Sequence, residues 1–114
     1  MIVCVPVRPD HEVAAGFGRS RRVAVASVSE GRITAWDEHD VAWDVLHDEG
    51  TEGAHHTRVL RFLREHGVEA VAVEQLGPGM ARMITAMGLR LSQGARGDAR
   101  AAVLAVASAN SSTP

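Results

Sequence analysis

Short apolar runs separated by turn residues dominate the first third of the chain and predict β-strands. Residues 2–7, 22–28 and 32–36 are rich in valine, isoleucine and alanine, and polar or glycine-containing segments bound each run. Residues 29–31, Ser-Glu-Gly, have the length and the glycine of a hairpin turn. The chain therefore begins with one buried strand, a loop over residues 8–21, and two antiparallel strands.

The second half of the chain alternates between helical and strand patterns. Apolar residues recur at helical spacing over residues 54–66, 78–87 and 98–107, whereas the patterns of residues 69–73 and 89–91 predict strands. The predicted order is β-β-β-α-β-α-β-α. Because each strand–helix–strand passage after the hairpin requires a right-handed crossover, we expect an α/β fold with a mixed five-stranded sheet and the antiparallel hairpin at one edge.

The segment between the hairpin and the first helix, residues 37–53, is polar and predicts a long loop. It carries His39 and His47, with Trp43 as an isolated apolar anchor. Connections of this length without secondary structure are uncommon in compact domains and are often functional or mobile. We therefore treat this loop as a candidate part of a binding site.

Chain length and cysteine content predict one self-sufficient domain. A chain of 114 residues buries roughly two-thirds of its unfolded surface, so it folds without a disulfide or a structural metal. We expect a single domain over residues 1–107 and a flexible tail over residues 108–114. The single cysteine, Cys4, lies within an apolar strand, which favours a buried core residue over a thiolate ligand.

Charge and aromatic content argue against nucleic-acid and membrane partners. The chain has 12 arginines, no lysine and 14 acidic residues, for a net charge of −2, with two Phe, two Trp and no Tyr. A nucleic-acid surface would need a basic stripe and stacking side chains. No apolar run approaches the length of a membrane span and no signal-peptide pattern opens the chain, so we expect a cytoplasmic location.

A glycine–proline–glycine turn at residues 77–79 joins a predicted strand to a predicted helix. Pro78 suits the first helical position, where its missing N–H leaves no hydrogen bond unmade, and the free amides that follow give the helix start a partial positive charge. A helix start that faces the carboxyl end of a strand commonly holds an anion or a polar ligand in α/β proteins. Gly77, Gly79 and Met80 are therefore candidate binding residues.

Five parts of the sequence together resemble one known family. They are the first strand, the Phe-Gly-Arg loop at 16–20, the passage 63–73, the Leu-Gly-Pro-Gly-Met-Ala turn at 76–81 and the strand within 87–91. Over almost its whole length the chain resembles the dinitrogenase iron–molybdenum cofactor biosynthesis family. The resemblance implies a three-layer ribonuclease H-like fold and a small non-catalytic module. It also implies, for some members, binding or transfer of an iron–sulfur or iron–molybdenum cluster precursor, with a cluster-assembly or cluster-receiving protein as partner.

Two places depart from the pattern of that family. Its members commonly carry histidine immediately before Phe-Gly-Arg, where this chain has Gly16. They often carry small residues ahead of the Gly-Pro-Gly turn, where this chain has Glu74 and Gln75. The first change removes an imidazole ligand, and a carboxylate beside the helix start would repel an anionic cluster. Both changes weaken the expectation of ordinary cluster binding.

The candidate site combines the loop before the hairpin, the Gly-Pro-Gly turn and several histidines. The cofactor-binding candidates are Phe17, Gly18, Arg19, Gly77, Gly79 and Met80, and the metal-ligand candidates are His11, His47, His55 and His56. Arg19 suits a bidentate contact with an anion, although a structural role, pairing with Asp10 or Glu12 or capping backbone carbonyls, is equally open. His11 is a hypothetical replacement for the missing loop imidazole.

The histidines also admit a structural interpretation. His55 and His56 are neighbours and point roughly 100° apart on a helix, so they do not share one metal without help from a loop. His47 with either of them, or with His39, would form a better pair if the polar loop folded back. The spacing matches no established metal site, so solvated loop histidines are the simpler interpretation.

Three functions follow from these observations, in order of preference. The first is a carrier or scaffold that transiently holds an iron–sulfur or iron–molybdenum cluster precursor. The second is a metal-free regulatory or protein-interaction module that keeps the fold, with a homodimer through an open sheet edge as one arrangement. The third, a hydrolase or nuclease, has little support, because two-metal chemistry needs clustered carboxylates and the first strand contains none. We therefore expect no enzymatic activity.

Overall fold

A mixed five-stranded sheet forms the centre of the molecule. The computed structural model describes residues 1–111, with side chains through residue 108. The strands are β1 (Ile2–Pro6), β2 (Arg22–Ser29), β3 (Arg32–Asp40), β4 (Ala70–Ala72) and β5 (Arg90–Ser92). Their order across the sheet is β3-β2-β1-β4-β5. β1, β4 and β5 run parallel to one another, whereas β2 is antiparallel to both β1 and β3.

Helices cover both faces of this sheet. They are α1 (Trp43–Leu46), α2 (Glu52–Glu65), α3 (Pro78–Ala86) and α4 (Ala99–Ser111), and a short 3₁₀ helix spans Phe17–Arg19. α4 packs on one face across β1, β2 and β4, and α2 and α3 pack on the other. This three-layer arrangement is a ribonuclease H-like α/β fold. The predicted fold class, the hairpin at one edge and the element order are confirmed, apart from the additional α1.

The alternation of side chains along β1 explains why the molecule has a core on each side of the sheet. Val3 and Val5 are fully buried in one cluster with Val103 of α4, whereas Cys4 is fully buried with Leu63 of α2. Successive strand residues point to opposite faces, so a strand covered on both faces is apolar throughout. Burial also raises the pKa of the Cys4 thiol, which agrees with its interpretation as a core residue.

The hairpin predicted at residues 29–31 turns through two residues, Glu30 and Gly31, because Ser29 still belongs to β2. Glu30 and Gly31 have φ angles of 51° and 75°, and Ser29 pairs with Arg32 across the two strands. Positive φ at both central residues is the arrangement of a two-residue type I′ turn, whose twist matches that of the flanking strands. Glycine at the second position adopts it without steric penalty.

The prediction of a loop over residues 37–53 is wrong at both ends. β3 continues to Asp40, and α2 begins at Glu52 with Thr51 as its N-cap. Between them, α1 buries Trp43 to 2% exposure. The polar composition concealed the last part of β3, because residues of an edge strand can be exposed on both faces of the sheet.

The last helix extends beyond its predicted end. α4 runs to Ser111 rather than to Ala107, and the rest of the predicted tail, residues 112–114, lies outside the described residues. The division into a domain over residues 1–107 and a tail therefore stays a prediction. Over residues 1–111, no helix combines the length and the apolar character needed to cross a membrane.

Candidate functional site

A cavity of about 540 Å³ opens beside the starts of α2 and α3. Residues 16–19 around the 3₁₀ helix and residues 75–80 at the start of α3 form two of its walls. The third wall consists of four side chains from the α1–α2 region, namely His47, Glu52, His55 and His56. Every residue predicted for the site except His11 therefore lies at this cavity.

The 3₁₀ helix is fixed by a buried aromatic anchor and by hydrogen bonds. Phe17 is fully buried and meets Trp43 edge-on, with ring centroids 5.4 Å apart. The Ser20 hydroxyl donates to the carbonyl of Gly16 at 3.0 Å, and the Ser20 amide donates to the carbonyl of Phe17 at 3.2 Å. Phe17 therefore positions the rim of the cavity, while its own side chain belongs to the core.

Gly16, at the outer end of this rim, adopts a backbone conformation that other residues seldom take. Its φ is 65° and its ψ is 91°, and a β-carbon built there would meet no atom within 4 Å. The position has room for a side chain, but the positive φ favours glycine. The backbone therefore suits glycine at the position where the resembled family commonly carries histidine.

The guanidinium of Arg19 is exposed and forms no ion pair within the described part of the chain. Asp10 and Glu12 lie beside Arg8 instead, with nitrogen–oxygen distances of 2.7 Å and 4.0 Å. The alternative pairing of Arg19 with either carboxylate is therefore wrong. A guanidinium at a cavity rim, free of a carboxylate, is a strong bidentate donor to an anion.

The start of α3 presents the amides of its first turn to the cavity. Gly77 is the N-cap and Pro78 follows at the beginning of the helix, as the sequence predicts. The Ala81 amide donates to the Gly77 carbonyl at 3.0 Å, so the amides of Gly79 and Met80 precede the first helical hydrogen bond. The Met80 side chain is buried in the core, so its backbone amide is the polar group that it contributes to the helix start.

His55 is buried at the cavity wall, and both of its ring nitrogens are engaged. Its exposed fraction is 2%. Nδ1 lies 2.8 Å from Nη1 of Arg58, and Nε2 lies 2.7 Å from the carbonyl oxygen of Gly18. Because arginine only donates, Nδ1 accepts and Nε2–H donates, which assigns the neutral tautomer. Contrary to the sequence prediction, His55 therefore has no lone pair to offer a metal.

Arg58 extends this contact to the segment before α2. Its Nη1 also donates to the carbonyl of Leu46 at 3.2 Å. We call Gly18, Leu46, His55 and Arg58 the His55 network, which joins the 3₁₀ helix, the end of α1 and α2. Arg58 was not among the residues predicted for the site, although its position three residues after His55 places both side chains on one face of the helix.

The pKa of His55 is lowered from its usual value of 6.5, chiefly because burial disfavours the imidazolium. The hydrogen bond to Gly18 opposes this shift, and the neighbouring Arg58 adds to it. The unfolded chain therefore takes up a proton at a higher pH than the folded chain does. The contribution of His55 to the free energy of unfolding is complete above the pKa that it has in the unfolded chain. It is lost as the pH falls from that value through the lower pKa of the folded chain.

We accordingly expect the free energy of unfolding to decrease as the pH is lowered below about 6.5, the unperturbed histidine value. Urea denaturation followed by tryptophan fluorescence over a pH series measures it. The His55→Gln variant is the control, because it removes the titrating group while keeping a polar side chain. A pH dependence of the same steepness in the variant would contradict the assignment to His55.

His47 and His56 supply the other imidazoles of the cavity. The His47 ring meets His55 edge-on with centroids 5.1 Å apart, and its Nδ1 lies 3.2 Å from an Asp48 carboxylate oxygen. Nε2 of His56 lies 3.8 Å from Oε1 of Glu52, one turn earlier on α2. The polar segment thus folds back toward the helix. Within the described part of the chain, however, no group of three or more His, Cys, Asp or Glu side chains is arranged to hold a metal ion.

His11 and His39 do not line the cavity. His11 lies in a turn with φ 69°, and its carbonyl accepts a hydrogen bond from the Ala99 amide at the start of α4. His39 on β3 packs against His66, with ring centroids 4.6 Å apart. The hypothesis that His11 replaces the missing loop imidazole is therefore not supported, because this turn joins α4 rather than the cavity.

The carboxylate at the cavity is not the one that the sequence indicated. Glu74, expected to repel an anion beside the helix start, does not line the cavity, whereas Gln75 and Glu52 do. Glu52 was not among the residues predicted for the site. Its position four residues before His56, on the same face of α2, is the signal that would have identified it.

Comparisons with solved structures support the fold. The crystal structure of PH0822 superimposes with a TM-score of 0.75 at 19% identity, covering 96% of this chain and 90% of that one. An NMR structure of the Thermotoga protein TM1290, described provisionally as a NifB protein, gives a TM-score of 0.62 at 20% identity. The match covers 94% of this chain and 87% of that one. At such identities the likeness concerns the fold alone. A search of curated proteins finds no match.

A family model provides the assignment that the structural neighbours do not. The model described as dinitrogenase iron-molybdenum cofactor matches residues 1–109, which is nearly the whole chain. The matched span includes the Phe-Gly-Arg loop at 16–20 and the turn at 76–81, which carry the resemblance in the sequence and meet at the cavity. The protein therefore belongs to the dinitrogenase iron–molybdenum cofactor family.

Proposed function

We propose that this protein is a small non-catalytic carrier or scaffold that transiently holds an iron–sulfur or iron–molybdenum cluster precursor as cargo. Membership of the family supports a role in the biosynthesis or handling of the iron–molybdenum cofactor. The observation that carries the finer proposal is the convergence of Arg19, the first-turn amides of α3 and His56 on one cavity. Together they provide the positive charge and the metal-binding nitrogen that suit an anionic, metal-containing cargo.

The electrostatic part of this binding comes from Arg19 and from the start of α3. The guanidinium carries a full positive charge and the helix start a partial one, so both attract a cluster of negative charge. Glu52 also lines the cavity and weakens this attraction. Its carboxylate lies 3.8 Å from His56 Nε2. We therefore expect moderate affinity that decreases as salt is added.

Direct bonds to metal would come from His56 and His47. Cys4 is fully buried, and both ring nitrogens of His55 are engaged within the protein. Two imidazoles without a thiolate hold a metal less firmly than the four ligands of a closed structural site. Exchangeable binding suits a carrier, because the cargo has to pass to a receiving protein. A cluster-assembly or cluster-receiving protein is therefore the partner we propose.

Anaerobic titration with a synthetic thiolate-capped iron–sulfur cluster tests this proposal. We expect saturable binding with a change in visible charge-transfer absorption, and severalfold weaker binding by His56→Ala, because this change removes a metal-binding nitrogen. His39→Ala is the matched control, since its ring lies on β3 away from the cavity. Absence of saturable binding by the unaltered protein, or equal affinity of both variants, would count against the proposal.

The site gives no support to a hydrolase or a nuclease. Two-metal nucleases need several carboxylates around their ions. β1 has the sequence Ile-Val-Cys-Val-Pro and carries none, and Glu52 is the only carboxylate among the described residues that line the cavity. We therefore propose a non-enzymatic role.

A metal-free regulatory or protein-interaction module is the second candidate function. Two observations favour it: the described residues offer no group of three metal ligands, and Gly16 stands in place of the loop imidazole. β3 also leaves one edge of the sheet open to pairing, which suits a homodimer. Light scattering of metal-depleted protein separates the two functions, because a metal-independent dimer that fails to bind the cluster supports the second.

A further inference from the structure

A second concave surface lies between β5 and α4. Its volume is about 520 Å³, and it shares no residue with the cavity at the start of α3. β5 contributes Arg90 and Ser92, the loop that follows contributes Arg96, and α4 contributes Ala101, Ala105 and Val106. We call this surface the β5 groove. Its α4 wall is made of small apolar side chains, which leave room for side chains of a partner.

β5 is the outer strand at this end of the sheet, so no strand among the described residues pairs with its outward backbone groups. The Arg90 amide donates to the carbonyl of Glu69 at 3.0 Å, and the Ser92 carbonyl accepts from the amide of Val73 at 2.9 Å. Both residues thus direct their backbone groups toward β4. Since alternate residues of a parallel strand bond to opposite neighbours, the N–H and C=O of Leu91 point away from the sheet.

The β5 groove carries two positive charges without opposing ones. Neither Arg90 nor Arg96 takes part in an ion pair with any described residue. The carboxylate of Asp98, two residues after Arg96, accepts a hydrogen bond from the Ala101 amide at 2.9 Å and so caps α4. The groove is therefore complementary in charge to an acidic occupant.

We propose that an acidic, extended segment of a partner protein adds to β5 as a sixth strand of the sheet. The backbone of that segment would bond to Leu91, and its carboxylates on the α4 side would lie beside Arg90 and Arg96. Strand addition obtains affinity from main-chain hydrogen bonds and specificity from alternate side chains. The charge of the groove selects acidic residues at those alternate positions. This surface is separate from the cavity, so cargo and partner can be bound at the same time.

A labelled peptide of alternating glutamate and valine, measured by fluorescence anisotropy, tests this proposal. We expect saturable binding, and roughly tenfold or greater weakening when Arg90→Glu and Arg96→Glu are combined, because two attractive charges become repulsive. The matched control combines Arg32→Glu and Arg61→Glu, which changes the net charge equally at the other sheet edge and on α2. A lysine–valine peptide is the control for charge.

Backbone NMR of the same titration locates the bound peptide. We expect the largest amide shift changes at Leu91 and its neighbours in β5. Equal weakening by both double variants, equal binding of the lysine peptide, or shift changes confined to residues 16–19 would overturn the proposal. Because the anisotropy assay contains no cluster, its failure leaves the proposed cargo site unaffected.

Discussion

The His55→Ala variant is expected to lose about 2–4 kcal/mol of unfolding free energy, which is a large part of the stability of a small domain. The change removes a buried ring that lies edge-on to Trp43. It also removes the hydrogen bonds that the Gly18 carbonyl and the Arg58 guanidinium each make with the His55 ring, and Arg58 keeps only its contact with Leu46 in the His55 network. Urea denaturation at neutral pH, followed by tryptophan fluorescence, gives the difference directly.

His56→Ala is the matched control for this stability measurement. His56 is the next residue on α2 and is less buried, and its only polar contact among the described residues is with Glu52. We expect the unfolding free energy of His56→Ala to decrease by no more than about 1 kcal/mol. Losses of equal size at the two positions would contradict the assignment of a structural role to His55 alone.

The Arg19→Glu variant is expected to bind an anionic iron–sulfur cluster roughly 10- to 100-fold more weakly than the unaltered protein. The substitution replaces the free cation at the cavity rim with a second negative charge near Glu52. Its unfolding free energy should remain unchanged, since the side chain is exposed. Anaerobic titration by visible absorption, at low and at high salt, measures the affinity and its salt dependence.

Arg61→Glu provides the comparison for this cluster titration, because it makes the same change in net charge on an exposed position of α2 that does not line the cavity. We expect its affinity for the cluster to match that of the unaltered protein closely. If Arg19→Glu and Arg61→Glu weaken binding equally, or if added salt has no effect, Arg19 does not contact the cargo.

Local signals in the sequence were sufficient to predict most of the fold. The valine-rich first strand had to be covered on both faces, and Gly77 with Pro78 marked the start of a helix. The end of β3 escaped prediction because its pairing with β2 depends on the register of the sheet, which a polar run such as 37–40 does not display. α1 was not predicted because it is only four residues long, and the contacts that hold it, the burial of Trp43 and the hydrogen bond from Arg58 to Leu46, depend on the tertiary fold.

The part of the candidate site that is set by the order of strands along the chain was predictable. The 16–20 loop follows β1 and the Gly-Pro-Gly turn follows β4, and these two strands are parallel neighbours, so the segments after them meet at one edge of the sheet. The role of His55 was not predictable, because it depends on a carbonyl 37 residues earlier in the chain. His11 was misplaced because backbone hydrogen bonds, from Arg8 to Glu12 within the turn and from Ala99 to His11, hold that segment beside the start of α4.

The backbone at Gly16 also restricts how this chain can evolve. A histidine placed there by substitution would have to adopt the positive φ of 65°, which disfavours a residue with a β-carbon by roughly 1–3 kcal/mol. A histidine ligand at position 16 therefore requires a change in the backbone of the loop as well as the substitution, unless the fold accepts this loss of stability.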